Sequence, residues 1–310
     1  MTENELKAIS PAKVLGEIAE VVPAGCRDKL IIIGSLAVGY HYADQLNGMA
    51  VRTKDADCLL SPRVAAVDAG IQIAQQLMDA GWRYKPIEQH TQPGSESTPE
   101  DNLPAVRLTP PGKSEWFIEL LTVPADSHQR NQRWVRLATS HGHFGLCSFG
   151  FLSLNDLEPI PIDLGIRIAR PEMMALAGLL EHPIIKSNLM STGFAGRMDI
   201  KRSNKDLGRV LAIARLGIGR DEDALLKWPA LWKDALQNRF PDEWRELASR
   251  AGNGLRALLA SEQDLEQALY TCAYGLLVSR PPTLEQLRIV GQRLVQDVIL
   301  PLEVEAGRDE

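Results

Sequence analysis

Two short stretches decide the fold: Leu30-Ile31-Ile32-Ile33-Gly34-Ser35, and, twenty residues on, Lys54-Asp55-Ala56-Asp57-Cys58-Leu59-Leu60. The first is an unbroken apolar run stopped by Gly34, the pattern of a strand buried on both faces. In the second, side chains alternate between faces of an extended chain, so Asp55 and Asp57 share one face while Ala56 and Cys58 point into the core. A pair of carboxylates on one face beside a Gly-Ser turn is suited to gripping magnesium or manganese ions and a phosphate chain.

Working outward, Ser35 to Gln45 reads as a helix following the Gly-Ser turn, and Ser35 itself is a good helix N-cap. Upstream, Ser10 to Val22 reads as a leading helix with Ser10 as N-cap and Pro11 in the first turn. Pro62 opens a further helix that ends near Gly81, with Val64, Val67, Ile71, Ala74 and Met78 as the face expected to cover the sheet. Short strands are expected around Arg83 and Val106, separated by the polar, turn-rich stretch from Gln92 to Asn102, which is expected to be a mobile loop. Trp116 to Val123 is the next strand; its alternation puts Phe117, Glu119 and Leu121 on one face. A carboxylate mid-strand among apolar neighbours is a candidate third ligand or a base for an attacking hydroxyl. Arg107 is its candidate ion-pair partner, and Asp163, in Ile162-Asp163-Leu164, is the competing carboxylate.

After Pro171 helical periodicity takes over: Leu265, Leu269, Cys272 and Leu276 form one stripe, and Leu287, Val290, Leu294 and Val298 another. Trp228-Pro229 and Pro281-Pro282 break these helices, and Trp228, Trp232 and Trp244 belong to core packing. The fold class expected is therefore α+β, a mixed sheet flanked by helices over residues 1–170 and an all-helical lobe over 171–310, with a cleft between them.

At 310 residues and 45% hydrophobic, the chain is long enough for two such lobes. A net charge of -6 argues against a generic nucleic-acid coat, which carries a basic footprint. Cys26, Cys58, Cys147 and Cys272 are far apart and match neither zinc spacing nor a disulfide framework. The start of the chain carries no targeting pattern, and no run of about 18 apolar residues occurs, so a cytoplasmic protein with no membrane partner is expected. His141 and His143, two apart, have no third ligand nearby and are expected in a loop. A basic run, Arg197, Lys201, Arg202, Lys205 and Arg209, is either a solvated helix face or a grip for a triphosphate or an RNA acceptor. Asp44, Asp101 and Asp126 carry no distinguishing pattern.

Ile33-Gly34-Ser35, Asp55-Ala56-Asp57-Cys58 and Ile118-Glu119-Leu120 stand in the order of the motifs of the nucleotidyltransferase superfamily, whose fold is that of DNA polymerase beta. The chain resembles that superfamily over Leu30 to Val123, and within it the abortive-infection-type toxin branch, through Arg52-Thr53-Lys54-Asp55 and a later Lys205-Asp206 pair. Relatives often carry a lysine on the helix that here runs from Pro171 to Leu180, and this segment has none. The resemblance implies a magnesium- or manganese-dependent transfer of a nucleoside monophosphate from a nucleoside triphosphate to an RNA, tRNA, protein or small-molecule hydroxyl. Asp55, Asp57 and Glu119 would be metal ligands and catalytic residues, and Gly34, Ser35 and Lys205 would hold the phosphates. A non-catalytic nucleotide-binding module that keeps the fold is the alternative.

Overall fold

The apolar run at Leu30–Ile33 does form the centre of a sheet. The computed structural model describes residues 8–46, 51–87, 89–112, 115–125, 133–185, 194–195 and 200–308. In chain order the first half contains β1 (Ala8–Ile9), α1 (Pro11–Val21), α2 (Ala24–Arg27), β2 (Leu30–Ile33), α3 (Gly34–His41), β3 (Val51–Arg52), β4 (Asp55–Leu60), α4 (Arg63–Asp79), β5 (Arg83–Tyr84), β6 (Arg107–Thr109), β7 (Phe117–Thr122), β8 (Arg133–Thr139), β9 (Gly142–Ser148), β10 (Ile160–Pro161) and β11 (Arg167–Ile168). Nine of these strands make one mixed sheet, ordered β10-β11-β2-β4-β7-β6-β5, with β9 also paired to β7 and β8 to β9.

Register matters more here than strand count. β4 runs antiparallel to β2 and parallel to β7, so Ile33, Asp57 and Glu119 lie side by side across three strands. β6 pairs antiparallel with β7 and places Arg107 beside Glu119. On one face of the sheet Leu30, Ile32, Ala56, Cys58, Leu60, Ile118 and Leu120 join the main core with α1 and α4. On the other, Ile31, Ile33, Leu59, Leu121 and Cys147 form a second apolar cluster, and the carboxylates continue that same face.

The helices follow α5 (Pro171–Leu180): α6 (Arg202–Arg220), α7 (Trp228–Arg239), α8 (Trp244–Arg250), α9 (Asn253–Ala260), α10 (Glu262–Tyr274), α11 (Leu284–Leu294) and α12 (Leu300–Gly307). One small hairpin, β12 (Phe194–Ala195) with β13 (Ile200–Lys201), interrupts them, which the helical periodicity does not announce. Trp228 and Trp232 are buried as expected, and the Trp232 indole N–H donates to the Glu172 carbonyl at 2.9 Å. Thr283 and Gln286 close a capping box after Pro281-Pro282. One continuous apolar core runs from the sheet into these helices.

Several expectations are corrected. Ser10 caps α1, accepting from the Lys13 N–H, but Ser35 does not cap α3: the N-cap is Ile33 and Ser35 sits inside the first turn. α4 buries Ala66, Ala69, Gly70, Ile73, Ala74 and Leu77; of the expected face Ala74 is buried and Val67, Ile71 and Met78 pack half-buried against the core, whereas Val64 is 91% exposed. Small residues form the inner stripe because Gly70 packs against Leu60 and Leu137, where a Cβ would already come within 3.0 Å. β8 and β9 form a hairpin where no strand was expected, and His143 lies on β9. The stretch 92–102 is tethered to that hairpin: Gly94 and His143 exchange backbone hydrogen bonds at 2.9 Å, and the Arg136 guanidinium donates to the carbonyls of Ser95 and Thr98.

The corrected helix face makes a direct contrast. Leu77→Ala should cost about 2–5 kcal/mol, as a fully buried leucine does, while Val64→Ala should stay within about 0.5 kcal/mol. Urea unfolding of the two variants checks it; equal losses would restore the Val64 face.

Candidate functional site

The site is built on the carboxylate face of β4. Thr53, 4% exposed, donates its hydroxyl to Asp55 Oδ1 at 2.7 Å, which orients that carboxylate and gives the Arg-Thr-Lys-Asp segment a local reason. Arg52 ties β3 to the helical region, its N–H donating to the Gly275 carbonyl while its guanidinium lies 5.9 Å from the Tyr274 ring centre. Two residues on, Asp57 points the same way as Asp55.

Glu119 stands next to Asp57 on β7, as the strand alternation requires, and is gripped by Arg107. Arg107 Nε donates to Glu119 Oε2 at 2.9 Å and Nη2 to Oε1 at 3.1 Å, a two-pronged fork. Each carboxylate oxygen keeps a further lone pair, so the fork orients Glu119 while leaving it acceptor capacity. Burial opposes the Arg107 charge, but the Glu119 carboxylate holds the guanidinium firmly protonated.

Gly34 begins α3 at φ 72°, in the left-handed region where a side chain is strained. A Cβ at this position would come 2.9 Å from Asp57 Oδ2, so glycine leaves open the space over that carboxylate. The Gly34 N–H, a candidate phosphate donor, points to the Met174 thioether at 3.2 Å. Sulfur is a weak acceptor that a phosphate oxygen outcompetes.

Opposite the carboxylates, α6 presents Arg202, Lys205 and Arg209, three to four residues apart and therefore on one helix face. Together with Gly34, Ser35, Asp55, Asp57, Arg107 and Glu119 they line a cavity of about 340 Å³. All six site residues named from the sequence, Gly34, Ser35, Asp55, Asp57, Glu119 and Lys205, meet there. Of the basic run, Lys201 is diverted to Asp264 at 2.8 Å, and Arg197 lies outside the described residues. Asp163 is exposed in the β10–β11 turn and lines no part of the cavity. Asp44 pairs with Arg220 at the surface, Asp101 is exposed, and Asp126 lies outside the described residues. His141 pairs with Asp79 and His143 Nδ1 meets Arg136, which accounts for both rings.

The electrostatics are uneven. Burial, then the charges of Asp55 and Glu119, push the Asp57 carboxyl well above the usual carboxylate range, against the pull of Arg209 and Lys205. Arg209 and burial push Lys205 down to about 8, with Asp206 and Asp55 opposing. Negative charge thus gathers around Asp57, and the basic face of α6, where Arg209 also lies 3.9 Å from Asp206, stands opposite it. All-oxygen donors of this kind suit magnesium or manganese. Among the described residues no group of three or more His, Cys, Asp or Glu is spaced to hold an ion. Asp55 and Asp57 therefore fit a divalent ion whose remaining positions are filled by water and phosphate, rather than a closed protein cage.

The sequence reading missed Arg107 as a cleft residue, as well as the aromatic wall from Trp134, Phe149 and Phe151. Arg107 was weighed only as a partner for Glu119; the wall depends on the unexpected β8–β9 hairpin.

Comparison with protein-family models, with curated proteins and with solved structures returns no match for this chain. Among the described residues no helix is long and apolar enough to cross a membrane.

A carboxyl raised in the folded chain binds its proton more tightly folded than unfolded, so folding is favoured at acid pH and penalised as pH rises through the folded value. Asp57→Asn removes that penalty. Its thermal midpoint at pH 7 should exceed that of the unmodified chain by about 2 °C, the shift that ~1 kcal/mol gives in a long domain. The gain should vanish below about pH 4, where aspartate is protonated in both states. A lower midpoint at pH 7 would contradict the charge distribution described above.

Proposed function

We infer that this protein is a metal-dependent nucleotidyltransferase of the DNA polymerase beta-like type, moving a nucleoside monophosphate from a nucleoside triphosphate to an acceptor hydroxyl. The observation that carries the reading is the meeting of two opposed rows across one cavity: Asp55, Asp57 and Glu119 on the sheet, Arg202, Lys205 and Arg209 on α6, with Gly34-Ser35 at the edge. Such a transfer asks the protein for positioning and charge stabilisation more than for covalent chemistry. Asp55 and Asp57 would hold a magnesium or manganese ion, which would supply charge stabilisation for the reacting phosphates.

The roles of the residues follow from where they sit. Asp55, steadied by Thr53, and Asp57, open beneath Gly34, hold the ion. Lys205 and Arg209 take the β- and γ-phosphates, and the anionic load opposes the downward push that Arg209 and burial exert on Lys205. The Gly34 N–H exchanges Met174 for a phosphate oxygen. Glu119, fixed by Arg107, orients the acceptor hydroxyl or completes the metal shell. The acceptor is an RNA, tRNA, protein or small molecule, and a toxin-like action in the cytoplasm belongs to the same reading through the resemblance alone.

A second reading, nucleotide binding without turnover, is favoured by one feature: Arg107 already neutralises the third carboxylate. The two separate on one experiment. The purified chain is incubated with magnesium or manganese, each α-labelled nucleoside triphosphate and total RNA or cell extract. Label should pass to one acceptor class, and Asp57→Ala should reduce transfer by at least ~10³-fold, the scale of losing a central electrostatic group. Binding with no label transferred under any condition would leave the second reading.

A further inference from the structure

The cavity has two chemically different ends. Away from the carboxylates its wall is apolar and aromatic, made by Leu121, Trp134, Phe149, Phe151 and Leu152. Phe151 is fully buried and fixed edge-on against Phe240, with ring centres 5.4 Å apart. Trp134 and Phe149 are half-exposed, so ring surface remains in contact with the cavity. Both pack on the apolar cluster that continues the carboxylate face of the sheet. Gly145 on β9 is what lets the Trp134 ring lie close: a Cβ there would come 2.6 Å from Cε3.

Two polar side chains line the cavity by this wall: Glu181, whose Oε1 accepts from the Phe151 N–H at 2.7 Å, and Asn155. Asn155 is only 5% exposed, yet among the described residues its Oδ1 has no hydrogen-bond partner. The segment that carries it is firmly held. The Asn155 N–H donates to the Leu152 carbonyl at 3.0 Å. The next residue, Asp156, accepts from the Ser61 hydroxyl and from Arg239, both at 2.6 Å. A buried carbonyl oxygen without a donor is costly, and native proteins rarely keep one without a use. Here a buried carboxamide whose oxygen lacks a donor among the described residues lines the same cavity as two half-exposed aromatic rings. Ring surface recognises a flat heteroaromatic by stacking, and a carboxamide recognises an edge that offers a donor next to an acceptor.

We propose that the aromatic end of the cleft is the nucleobase subsite and that Asn155 reads the edge of the base, Oδ1 accepting from an exocyclic amino group and Nδ2 donating to the adjacent ring nitrogen. Adenine and cytosine offer that edge. This assignment rests on the nucleotidyltransferase reading and deepens it, because it orients the nucleotide: phosphates under α6 and Gly34, base against Trp134 and Phe149. Asn155 is a specificity-determining residue and takes no part in the transfer itself.

The test is calorimetric binding of the α,β-methylene analogues of ATP, CTP, GTP and UTP to the full chain in magnesium, with inorganic triphosphate as reference. The unmodified chain should bind the adenine and cytosine analogues more tightly than the guanine analogue. Asn155→Asp offers two acceptors, which match the adjacent N1–H and amino donors of guanine. The ratio of guanine to adenine affinity should therefore rise by roughly 5- to 150-fold, the range for one bidentate base contact. Trp134→Ala, which leaves Asn155 in place, should weaken all four analogues by about 5-fold or more through lost stacking and leave inorganic triphosphate unchanged. Base ranking that is the same in the unmodified chain and Asn155→Asp, with analogues still bound and Trp134→Ala silent, would overturn the subsite and leave the transferase reading standing. Failure of every analogue and of inorganic triphosphate to bind would overturn both.

Discussion

The pairing of β4 between β2 and β7 is the constraint on which the rest depends. Because side chains alternate, this register sends Ala56, Cys58 and Leu60 into the main core and Asp55 and Asp57 onto the opposite face. A slip of one residue would bury both carboxylates in hydrocarbon, a cost the fold does not survive. The same register sets Glu119 beside Asp57, and the antiparallel β6 brings Arg107 to Glu119. Four charged groups are thus placed by backbone pairing before any ligand arrives.

The helical region completes the cavity rather than the sheet. α5 lies against α6 through Gly178, where a Cβ would come 2.9 Å from Val210, and this close approach carries the Arg202–Arg209 face of α6 toward the carboxylates. The cavity stores electrostatic tension in both walls. Asp57 resists ionisation and Lys205 resists protonation, and each is relieved by a ligand of the opposite charge at its own wall. In the proposed function, preorganised charge of this kind would trade stability of the protein for affinity toward a metal-bound polyphosphate.

Much of this was legible in the chain because it obeys short-range rules. Leu30 to Ile33 is an unbroken apolar run, the Asp-x-Asp alternation and the mid-strand Glu119 are period-two patterns, and Ser10-Pro11 is a local cap. What escaped depends on contacts distant in sequence. β9 carries Gly142 and Gly145, which blur alternation; the strand is held by its ladder to β8 and its pairing to β7, with the Trp134 ring lying close over Gly145. On α4 the expected face holds from Val67 to Met78, but Val64 turns to solvent, and the deepest stripe includes Gly70, where only a glycine fits freely against Leu137. The stretch 92–102 looked loose from its turn residues, but its anchors, Arg136 and His143, are some forty residues away.

The central claim is that Asp55 and Asp57 form a divalent-metal site completed by a polyphosphate held from α6. Manganese titration followed by electron paramagnetic resonance measures this most directly, with and without inorganic triphosphate. The account predicts weak binding alone, tightening by at least about tenfold with triphosphate, and loss of that tightening in both Asp55→Asn/Asp57→Asn and Lys205→Ala. Manganese binding unaffected by the paired aspartate substitution, or indifferent to triphosphate, would contradict it.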